Sequence, residues 1–355
     1  MSWSLSEAAA TDERWQRLLS EHPHLVFHEP VWAAVLQKGI NGQPVCLLLE
    51  LDGVCRGGMV GFFYRVIGIR LAYFNLPYGG VVGQAPPPEV LARLLHEWAL
   101  AQGVSRVRLN ASPEVGDPIL EASIEMMQSL EKYFTVIPLT TNVLSFQGGD
   151  HKSIYANFKK RVRRDVLKAE KSGVSILEVQ DTKGIEVFYG LYIESMQRNR
   201  TVAKYSLAFV QAVASQLLAE GRASLLLAMR RGVAIAGMLL VDSETSTHYL
   251  MAGSRSDGLR YCPNDLLLNH AIGRAAERGC RSFDFLPSGE NNLGLEKFKA
   301  KWNALAVEVP VYELVVRPVM IQLFYGMYAA AQSWPGRWLV KTFRQYRRAV
   351  HGRGR

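Results

Sequence analysis

The most informative pattern in the chain is an apolar run that is broken by a short polar step and then resumes. It occurs twice, at 46–61 with the break at Asp52 and Gly53, and at 224–240 with the break at 230–232. The triple leucines of the two runs are 178 residues apart, and their Gly-Met pairs are 179 residues apart. Two apolar segments around a polar glycine step are typical of a β-hairpin, so the sequence predicts two related hairpins.

Each predicted hairpin is followed by a further strand, an amphipathic helix and another strand. Apolar residues three and four positions apart give each helix one apolar face. A glycine at the end of a helix favours the left-handed backbone that closes the last turn. The pattern therefore predicts a duplicated α/β domain. The helix, glycine and strand are 90–102, Gly103 and 104–109 in the first copy, and 264–278, Gly279 and 280–285 in the second.

A polar glycine pair, Gly148 and Gly149, lies at the junction between the two copies. Such a pair before a strongly helical segment is typical of a linker. We expect a first domain at 1–147, a second domain at 148–313 and a tail at 314–355. The second domain is predicted to begin with one helix at 153–171, apolar on one face and basic on the others.

The composition is that of a folded globular protein, with 48% hydrophobic and 21% charged residues among 355. This excludes disorder as the main state. The chain has no run of about 18 apolar residues, so a transmembrane helix is not expected. Residues 1–23 lack the basic and apolar blocks of a signal peptide, and none of the four cysteines forms a CxxC pair. We expect a reducing, cytoplasmic location.

The net charge of +9 comes from two segments. Residues 314–355 carry eight lysines and arginines and no acid, and residues 152–171 carry eight with only Asp165 and Glu170. Each segment is a candidate surface for an anionic partner, such as a membrane, a nucleic acid or a phosphorylated substrate. The remaining alternative for the helical segment is a solvated face without a partner.

Four stretches of the sequence resemble the FemAB family, and their order and spacing extend the resemblance over most of residues 25–312. The resemblance implies a mixed α/β (α+β) fold, in which a duplicated GNAT-like acyltransferase domain forms two mixed sheets with flanking helices. It also implies that the C-terminus returns to the first domain, so we expect the apolar segment 318–331 to pack there. The stretches are FHEPVW (27–32), NFKKRVRRDVLKAEKSGVSILEV (157–179), THYLMAGS (247–254) and YCPNDLLLNHAIGRAAERGCRSFDFLPSGENNLGLEKFKAKW (261–302).

The resemblance implies a catalytic lysine at Lys299, in the segment EKFKAKW. A fixed cation beside the acyl oxygen stabilises the negative charge that develops during transfer. The alternative is a solvated lysine, which is how we interpret its neighbours Lys297 and Lys301.

Asp284 is the second catalytic candidate, because an acid inside the predicted strand 280–285 is disfavoured by propensity and requires a reason. It could orient the acceptor amine or accept its proton. The alternative is a structural ion pair or a cap for the loop that follows.

The resemblance also implies that Arg198 helps to hold the acceptor, since arginine can bind a phosphate or carboxylate with two parallel bonds. Tyr205, Tyr249 and Asn264 are further substrate-binding candidates. The alternatives are core or rim positions for the tyrosines and the N-cap of its helix for Asn264. His248 and His270 lack metal-ligand spacing, so we treat them as structural and predict no metal.

The sequence departs from the family pattern at two places, and the first concerns the donor site. GNAT enzymes bind the pyrophosphate of coenzyme A on a glycine-rich turn at a helix N-terminus. The equivalent segment 255–264 has one glycine and a donor-less Pro263, and the glycine-rich segment 78–83 leads into three prolines. We therefore expect poor coenzyme A binding. Leu286 stands where many relatives have glycine, so the loop there should differ.

These observations predict an N-acyltransferase that transfers an acyl or aminoacyl group to an amine of a cell-envelope or exopolysaccharide precursor, either small or lipid-linked. We expect no permanently bound cofactor, and the donor is acyl-CoA, acyl-carrier protein or aminoacyl-tRNA. One alternative is an aminoacyl-tRNA-dependent peptidoglycan cross-bridge transferase, with tRNA as partner. The other is a non-catalytic binding protein on the same fold. The basic residues 341–355 suit peripheral contact with an anionic membrane at its inner face, or RNA.

Overall fold

Two large β-sheets with flanking helices make up the protein. The computed structural model describes residues 2–40, 42–66, 68–110, 113, 133–146, 148–287 and 298–332, the side chains of 328–332 excepted. The strands are β1 (Trp3–Ala8), β2 (Gln43–Leu51), β3 (Val54–Val66), β4 (Ile69–Phe74), β5 (Val82–Gly83), β6 (Val104–Asn110), β7 (Thr135–Ile137), β8 (Thr140–Ser145), β9 (Val174–Val179), β10 (Ala223–Arg230), β11 (Val233–Asp242), β12 (Ser246–Ser254), β13 (Ser282–Asp284), β14 (Leu305–Glu308) and β15 (Val311–Val315). The helices are α1 (Glu13–Glu21), α2 (Pro30–Ile40), α3 (Pro88–Ala101), α4 (His151–Asn157), α5 (Lys160–Lys171), α6 (Thr182–Arg198), α7 (Leu207–Val213), α8 (Pro263–Glu277) and α9 (Pro318–Gln332).

The two sheets are mixed, as predicted. The first has the order β1-β2-β3-β4-β6-β15-β7, with β5 beside β3, and the second has the order β14-β8-β13-β12-β11-β10-β9. Each contains one parallel pair among the described strands, β4 with β6 and β12 with β13. A parallel pair needs a crossover, which α3 supplies in the first sheet and α8 in the second. The predicted fold class, a duplicated α/β domain with two mixed sheets, is confirmed.

The two predicted hairpins form with the same turn and the same irregularity. The turn residues Asp52 and Arg231 both have φ of 49°, and the glycines that follow have φ of 78° and 74°. Two successive left-handed residues give the type of turn that matches the twist of the strands it joins. Each hairpin also has one register shift, after Leu49 in the first and after Ala228 in the second, again 179 residues apart.

Sheet membership does not change at the predicted domain boundaries of 147 and 313. Strand β8 precedes residue 147, yet it pairs with β13 and β14 in the second sheet. Strand β15 begins before residue 313 and pairs with β6 and β7 in the first sheet. The chain therefore crosses from one sheet to the other before β8 and again between β14 and β15.

The single helix predicted at 153–171 is wrong, because two helices, α4 and α5, occupy that segment. Asp150 caps α4, accepting a hydrogen bond from the Ser153 amide at 2.9 Å. The chain is extended at Phe158 and Lys159, with ψ of 149° and 142°. Phe158 is buried and its ring lies 5.0 Å from that of Trp302, edge to face. This contact fills the core at the break between the helices, which the helical periodicity of the sequence did not reveal.

An apolar core joins the two halves of the chain. Helix α2 packs against α7, with the rings of Trp32 and Phe209 6.0 Å apart. A Cβ added at Gly39 would lie 2.7 Å from the Phe209 Cα, so the two helices can approach this closely only because residue 39 is glycine. Val26 and Phe27 belong to the same core as Phe209. The first half is therefore packed directly on the helices of the second.

The C-terminal helix α9 packs on the first sheet, where the apolar segment 318–331 was expected. Ile321 is buried against Ile69 and Leu71. The buried Arg106 donates to the Tyr325 hydroxyl at 2.9 Å and ties the helix to β6. No helix among the described residues combines the length and the apolarity needed to cross a membrane.

The free energy of unfolding should fall by about 2 kcal/mol between pH 7.5 and pH 5 because of His28. This imidazole is buried, and burial lowers its pKa from 6.5 to about 4. His28 is therefore protonated near pH 6.5 in the unfolded chain but only near pH 4 in the folded chain. The free energy of unfolding decreases as the pH falls through that window. Urea unfolding at several pH values measures the slope. His28→Gln should remove this part of it, leaving the smaller part due to His270, whose pKa burial also lowers. An unchanged slope in that variant would contradict the assignment.

Candidate functional site

Asp284 lies at the end of β13, in the middle of the second sheet, and is completely buried. One carboxylate oxygen accepts from the Thr141 hydroxyl at 2.7 Å and from the Leu286 amide at 3.0 Å. The other lies 3.3 Å from Nδ1 of His248, which is equally buried. Three protein groups thus satisfy the hydrogen-bonding capacity of this carboxylate. Asp284 is therefore placed to fix the positions of Thr141, Leu286 and His248 rather than to contact a substrate directly.

The hydrogen-bonded network continues from His248 into the first half of the chain. With Nδ1 facing the Asp284 carboxylate and carrying the proton, Nε2 accepts from the hydroxyls of Ser243 at 2.9 Å and Ser246 at 3.1 Å. The Ser243 oxygen accepts in turn from the Val26 amide at 3.0 Å. The sequence predicted a structural His248, and its pairing with Asp284 was not anticipated. The register of β12 on β13 places these two residues side by side.

Lys299 is buried, with 2% of its surface exposed, so it is not the solvated surface lysine that was its alternative. Its ammonium group donates to the Leu286 carbonyl at 2.5 Å. Leu286 has φ of 56°, and its amide is held by Asp284. Leu286 therefore has the left-handed backbone conformation that glycine adopts most easily, despite its side chain. Asp284 and Lys299 are therefore joined through the two ends of one residue.

Tyr249 borders the same region. It follows His248 on β12, and its ring lies 6.2 Å from that of Phe285. Burial raises the pKa of the Tyr249 phenol. It lies at the same end of the second sheet as Asp284. Successive residues of a strand point to opposite faces, so its ring packs with Phe285 on the face away from the pair of His248 and Asp284.

Arg198 lies elsewhere. Its guanidinium donates to the Ser254 carbonyl at 2.6 Å and to the hydroxyls of Ser195 and Ser254 at 3.0 and 3.1 Å. Ser254 follows His248 by six residues on β12, which corresponds to about 20 Å along the strand. The structure therefore separates Arg198 from Lys299 and Asp284. It also gives the arginine a role in holding the end of α6 to the end of β12.

An open groove of about 560 Å³ lies near this end of β12. Helix α6 and the hairpin of β10 and β11 form its walls, with Glu194 and Arg255 among the lining residues. The groove does not include Lys299 or Asp284. A cleft that reaches those two residues stays a prediction, because the adjoining segment 288–297 lies outside the described residues.

Tyr205 lies at the contact between the two halves of the chain. Its ring stacks on Phe209 at 4.4 Å, just before α7 packs on α2. Its amide and that of Lys204 donate to the Tyr192 hydroxyl, at 3.3 and 2.9 Å. These contacts make Tyr205 a half-buried rim residue of the apolar core between the domains.

Asn264 is not the N-cap of its helix, contrary to the alternative considered for it. Cys262 holds that position, with φ of 55°, and Pro263 is the first helical residue. The first turn of the helix carries Asp265, which is buried and pairs with Lys301, so Lys301 is not the solvated lysine that was expected. Burial raises the pKa of Asp265, while Lys301 opposes that shift. The place where a GNAT enzyme would bind a pyrophosphate therefore carries an acid of the chain itself.

A second acid strengthens this conclusion. Ligand atoms of Asp165, Cys262 and Asp265 lie within 4.8 Å of one another. These three residues are the ones that could hold a metal ion among those described. The basic side chains of Arg161, Arg164 and Lys301 already lie against the two carboxylates. A pyrophosphate at the start of α8 would meet two carboxylates.

The glycine-rich segment of the first half serves backbone packing. A Cβ added at Gly79 would lie 1.8 Å from the Phe74 carbonyl oxygen, and one at Gly83 would lie 2.5 Å from that of Arg56. The Gly79 amide donates to the Asn110 side chain at 3.1 Å, and its carbonyl accepts from His28. These glycines allow chains to approach closely, and the amide of Gly79 is already bonded rather than open to a phosphate.

The basic surface of α4 and α5 is continuous with the segment that carries Lys299. The Lys159 ammonium donates to the Ala300 carbonyl at 3.2 Å, and the Asn303 side chain donates to the Asn157 carbonyl. Together with the Phe158–Trp302 contact, these bonds fix the helix break against residues 300–303. The exposed cations of this surface are Lys152, Lys159, Lys160, Arg161, Arg164, Lys168 and Lys171.

Comparison with known proteins places this geometry in a family. Residues 156–300, which include α5, the parallel strands and Lys299, match the family described as acetyltransferase (GNAT) domain. This segment is thus similar to a GNAT acetyltransferase domain. No curated protein matches the sequence significantly.

Solved structures extend the likeness beyond the GNAT domain. The structure of FemX has a TM-score of 0.68 at 16% identity, covering 90% of this chain and 99% of that one. A tandem GNAT protein from the clavulanic acid biosynthesis pathway has a TM-score of 0.54 at 13% identity, covering 88% and 98%. L-PGS from Bacillus licheniformis has a TM-score of 0.52 at 12% identity, covering 86% and 91%. The resemblance to FemAB proteins is thus confirmed as a shared fold, the GNAT-like fold of these structures.

Proposed function

We propose that the protein is an N-acyltransferase that moves an acyl or aminoacyl group onto an amine of a cell-envelope or exopolysaccharide precursor. The observation that carries this proposal is the buried Lys299 ammonium on the GNAT domain. Burial of a lysine is costly, and a fold that retains one beside a strained turn has a use for its charge.

In the proposed reaction the acceptor amine attacks the acyl carbonyl carbon, and negative charge develops on the carbonyl oxygen. The Lys299 ammonium stabilises that charge, and the bond to the leaving group then breaks. The amine gives up its proton to the departing donor group, so no general base from the protein is needed. Asp284 acts as a positioning residue in this scheme, since it holds the Leu286 amide while the Leu286 carbonyl holds Lys299.

The acceptor is proposed from the fold and from the predicted binding residues. FemX and L-PGS share the architecture, and a further neighbour carries the description putative lysylphosphatidylglycerol synthetase, from Agrobacterium fabrum. Tyr249 is the predicted acceptor contact that lies beside Phe285, at the end of the sheet where Lys299 lies. Arg198 and Tyr205, farther away, would contact only a large acceptor that extends along α6.

A charged tRNA is the donor that the surface favours, which supports the cross-bridge transferase alternative. The basic surface of α4 and α5 meets residues 300–303 directly through Lys159 and Phe158. A polyanion lying along these helices would end next to Lys299. Coenzyme A is disfavoured near the start of α8 because the cations that could bind its pyrophosphate there, Arg161, Arg164 and Lys301, are already paired with Asp165 and Asp265.

Donor binding by the full-length protein tests these assignments. Calorimetry should show no micromolar binding of acetyl-CoA, because carboxylates occupy the pyrophosphate position. Filter binding should show salt-dependent retention of aminoacyl-tRNA. The double variant Lys160→Ala, Lys168→Ala should weaken it by about tenfold and flatten its salt dependence.

The matched control is the double variant Lys38→Ala, Lys183→Ala, which removes two exposed cations outside the basic surface. If both double variants lose the same amount of tRNA retention, the interaction depends on net charge alone and not on the basic surface of α4 and α5. If acyl-carrier protein or another donor, rather than tRNA, supports transfer in a donor screen, the tRNA alternative fails and the N-acyltransferase proposal stands. If no donor supports transfer, the protein is a binding protein on this fold.

A further inference from the structure

Helix α9 is a surface helix without a charged residue. Its sequence, PVMIQLFYGMYAAAQ, contains no charged residue, and two glutamines are its only amide side chains. Helices on the surface of a folded domain have an apolar face toward the core and a charged or polar face toward water. The absence of charge over four turns indicates that the outward face of α9 meets something other than water.

The contacts of α9 separate its two faces. Ile321 is buried against the first sheet, and Phe324 and Met327 pack on the same cluster. On the opposite side Val319 is 64% exposed and Leu323 is 53% exposed. The outward face is therefore as apolar as the inward one, although nothing among the described residues covers it.

The apolar surface extends beyond the helix. Met320, on the flank of α9, is 43% exposed. Tyr64 of β3 lies opposite Leu71 in the sheet beneath the helix, and it is 41% exposed. Several exposed apolar side chains on one helix and on the strand pair beneath it, rather than single scattered ones, are typical of an interaction site.

The composition of the segment after α9, residues 333–355, indicates which kind of partner the outward face meets. Residues 333–355 carry seven lysines and arginines and no acid, together with Trp334 and Trp338. The outward face and this segment therefore combine apolar area, tryptophan and positive charge, which suits the boundary of an anionic bilayer. At 15 residues, α9 is about 22 Å long and too short to cross the hydrocarbon core.

We propose that α9 is an interfacial membrane helix. Val319, Met320 and Leu323 enter the headgroup boundary of an anionic bilayer, and the cations of 333–355 contact its lipid headgroups. The inward face, held by Ile321 and by the bond from Arg106 to Tyr325, keeps the helix attached to the first sheet. This proposal does not depend on the identity of the donor or the acceptor.

Vesicle sedimentation with the full-length protein tests the proposal. Vesicles of phosphatidylcholine with about one third phosphatidylglycerol should bind the protein at low salt, and pure phosphatidylcholine vesicles much less. The double variant Val319→Gln, Leu323→Gln, which keeps the charge unchanged, should weaken partitioning by about tenfold or more. Val233→Gln is the matched control, because Val233 is 49% exposed on the second sheet, and it should bind like the wild type.

Four results would overturn the proposal. The first is equal partitioning of wild type and the Val319→Gln, Leu323→Gln variant, which would leave only the basic tail as the contact. The second is a gain of binding when residues 333–355 are deleted, which would show that the tail covers α9 within the same molecule. The third is a concentration-dependent dimer that the double variant dissociates while the wild type ignores vesicles, which would make the face an interface between two copies. Retention of RNA in place of vesicles would likewise assign the cations to a different partner.

Discussion

Replacing Lys299 with methionine should lower the rate of acyl transfer by about 10²- to 10³-fold, the loss that follows removal of one group that stabilises a developing oxyanion. The melting temperature should change by only a few degrees. Methionine has nearly the same length as lysine and is apolar, so it fills the buried space without an ammonium group to desolvate. Transfer from the donor found in the screen and thermal unfolding of the same samples measure the two effects.

Lys301→Met is the control, because it removes a nearby lysine with a different role. Lys301 pairs with the buried Asp265, so its loss should cost about 2 kcal/mol of stability and leave transfer close to the wild-type rate. The two variants should therefore show opposite behaviour, one losing activity and the other losing stability. Wild-type transfer by Lys299→Met would remove the lysine from the mechanism.

Replacing Asp284 with alanine should lower the free energy of unfolding by about 3–5 kcal/mol. The substitution leaves three buried donors without their acceptor: the Thr141 hydroxyl, the Leu286 amide and Nδ1 of His248. Asp257→Ala is the control, because the Asp257 carboxylate is exposed and pairs with Arg255 at the surface, and a surface pair of this kind contributes less than about 1 kcal/mol. Urea unfolding at pH 7.5 compares the two.

Asp284→Asn separates positioning from proton transfer. The amide oxygen can still accept from Thr141 and Leu286, and the amide nitrogen can donate to His248 if the imidazole moves its proton to Nε2. If Asp284 positions Lys299 through Leu286, Asp284→Asn should keep most of the transfer rate and Asp284→Ala should lose much of it. A rate that falls equally far in both variants would instead make Asp284 the proton acceptor, since asparagine cannot take up a proton.

The parts of the fold that depend on neighbouring residues could be predicted from the sequence. The two hairpins formed where a polar turn interrupts an apolar run, and their turn residues have the left-handed φ that such turns require. Helices α3 and α8 end before Gly103 and Gly279, both with positive φ, as the capping pattern indicated. The 179-residue offset of the two bulges shows that the repeat extends to backbone detail.

The parts that depend on distant contacts could not be predicted. The helix break at Phe158 exists because its ring packs on Trp302, 144 positions away in the sequence. The local helical pattern does not indicate such a distant partner. The placement of β8 in the second sheet and of β15 in the first follows from ladder pairing rather than from any local signal. The acid at the start of α8 was visible as Asp265, but its burial and its pairing with Lys301 were not.

The candidate site divides in the same way. The duplicated domain, the two basic segments and the unusual acid Asp284 could be predicted from local pattern and from order along the chain, and Lys299 from the resemblance to the FemAB family. Only the tertiary structure decided what those residues do to one another. It buried Lys299, joined it to Asp284 through Leu286, moved Arg198 to the far end of β12 and set the basic helices against residues 300–303. Burial and hydrogen bonding are properties of packed neighbours, and packing brings together residues whose separation along the chain carries no information about their contact.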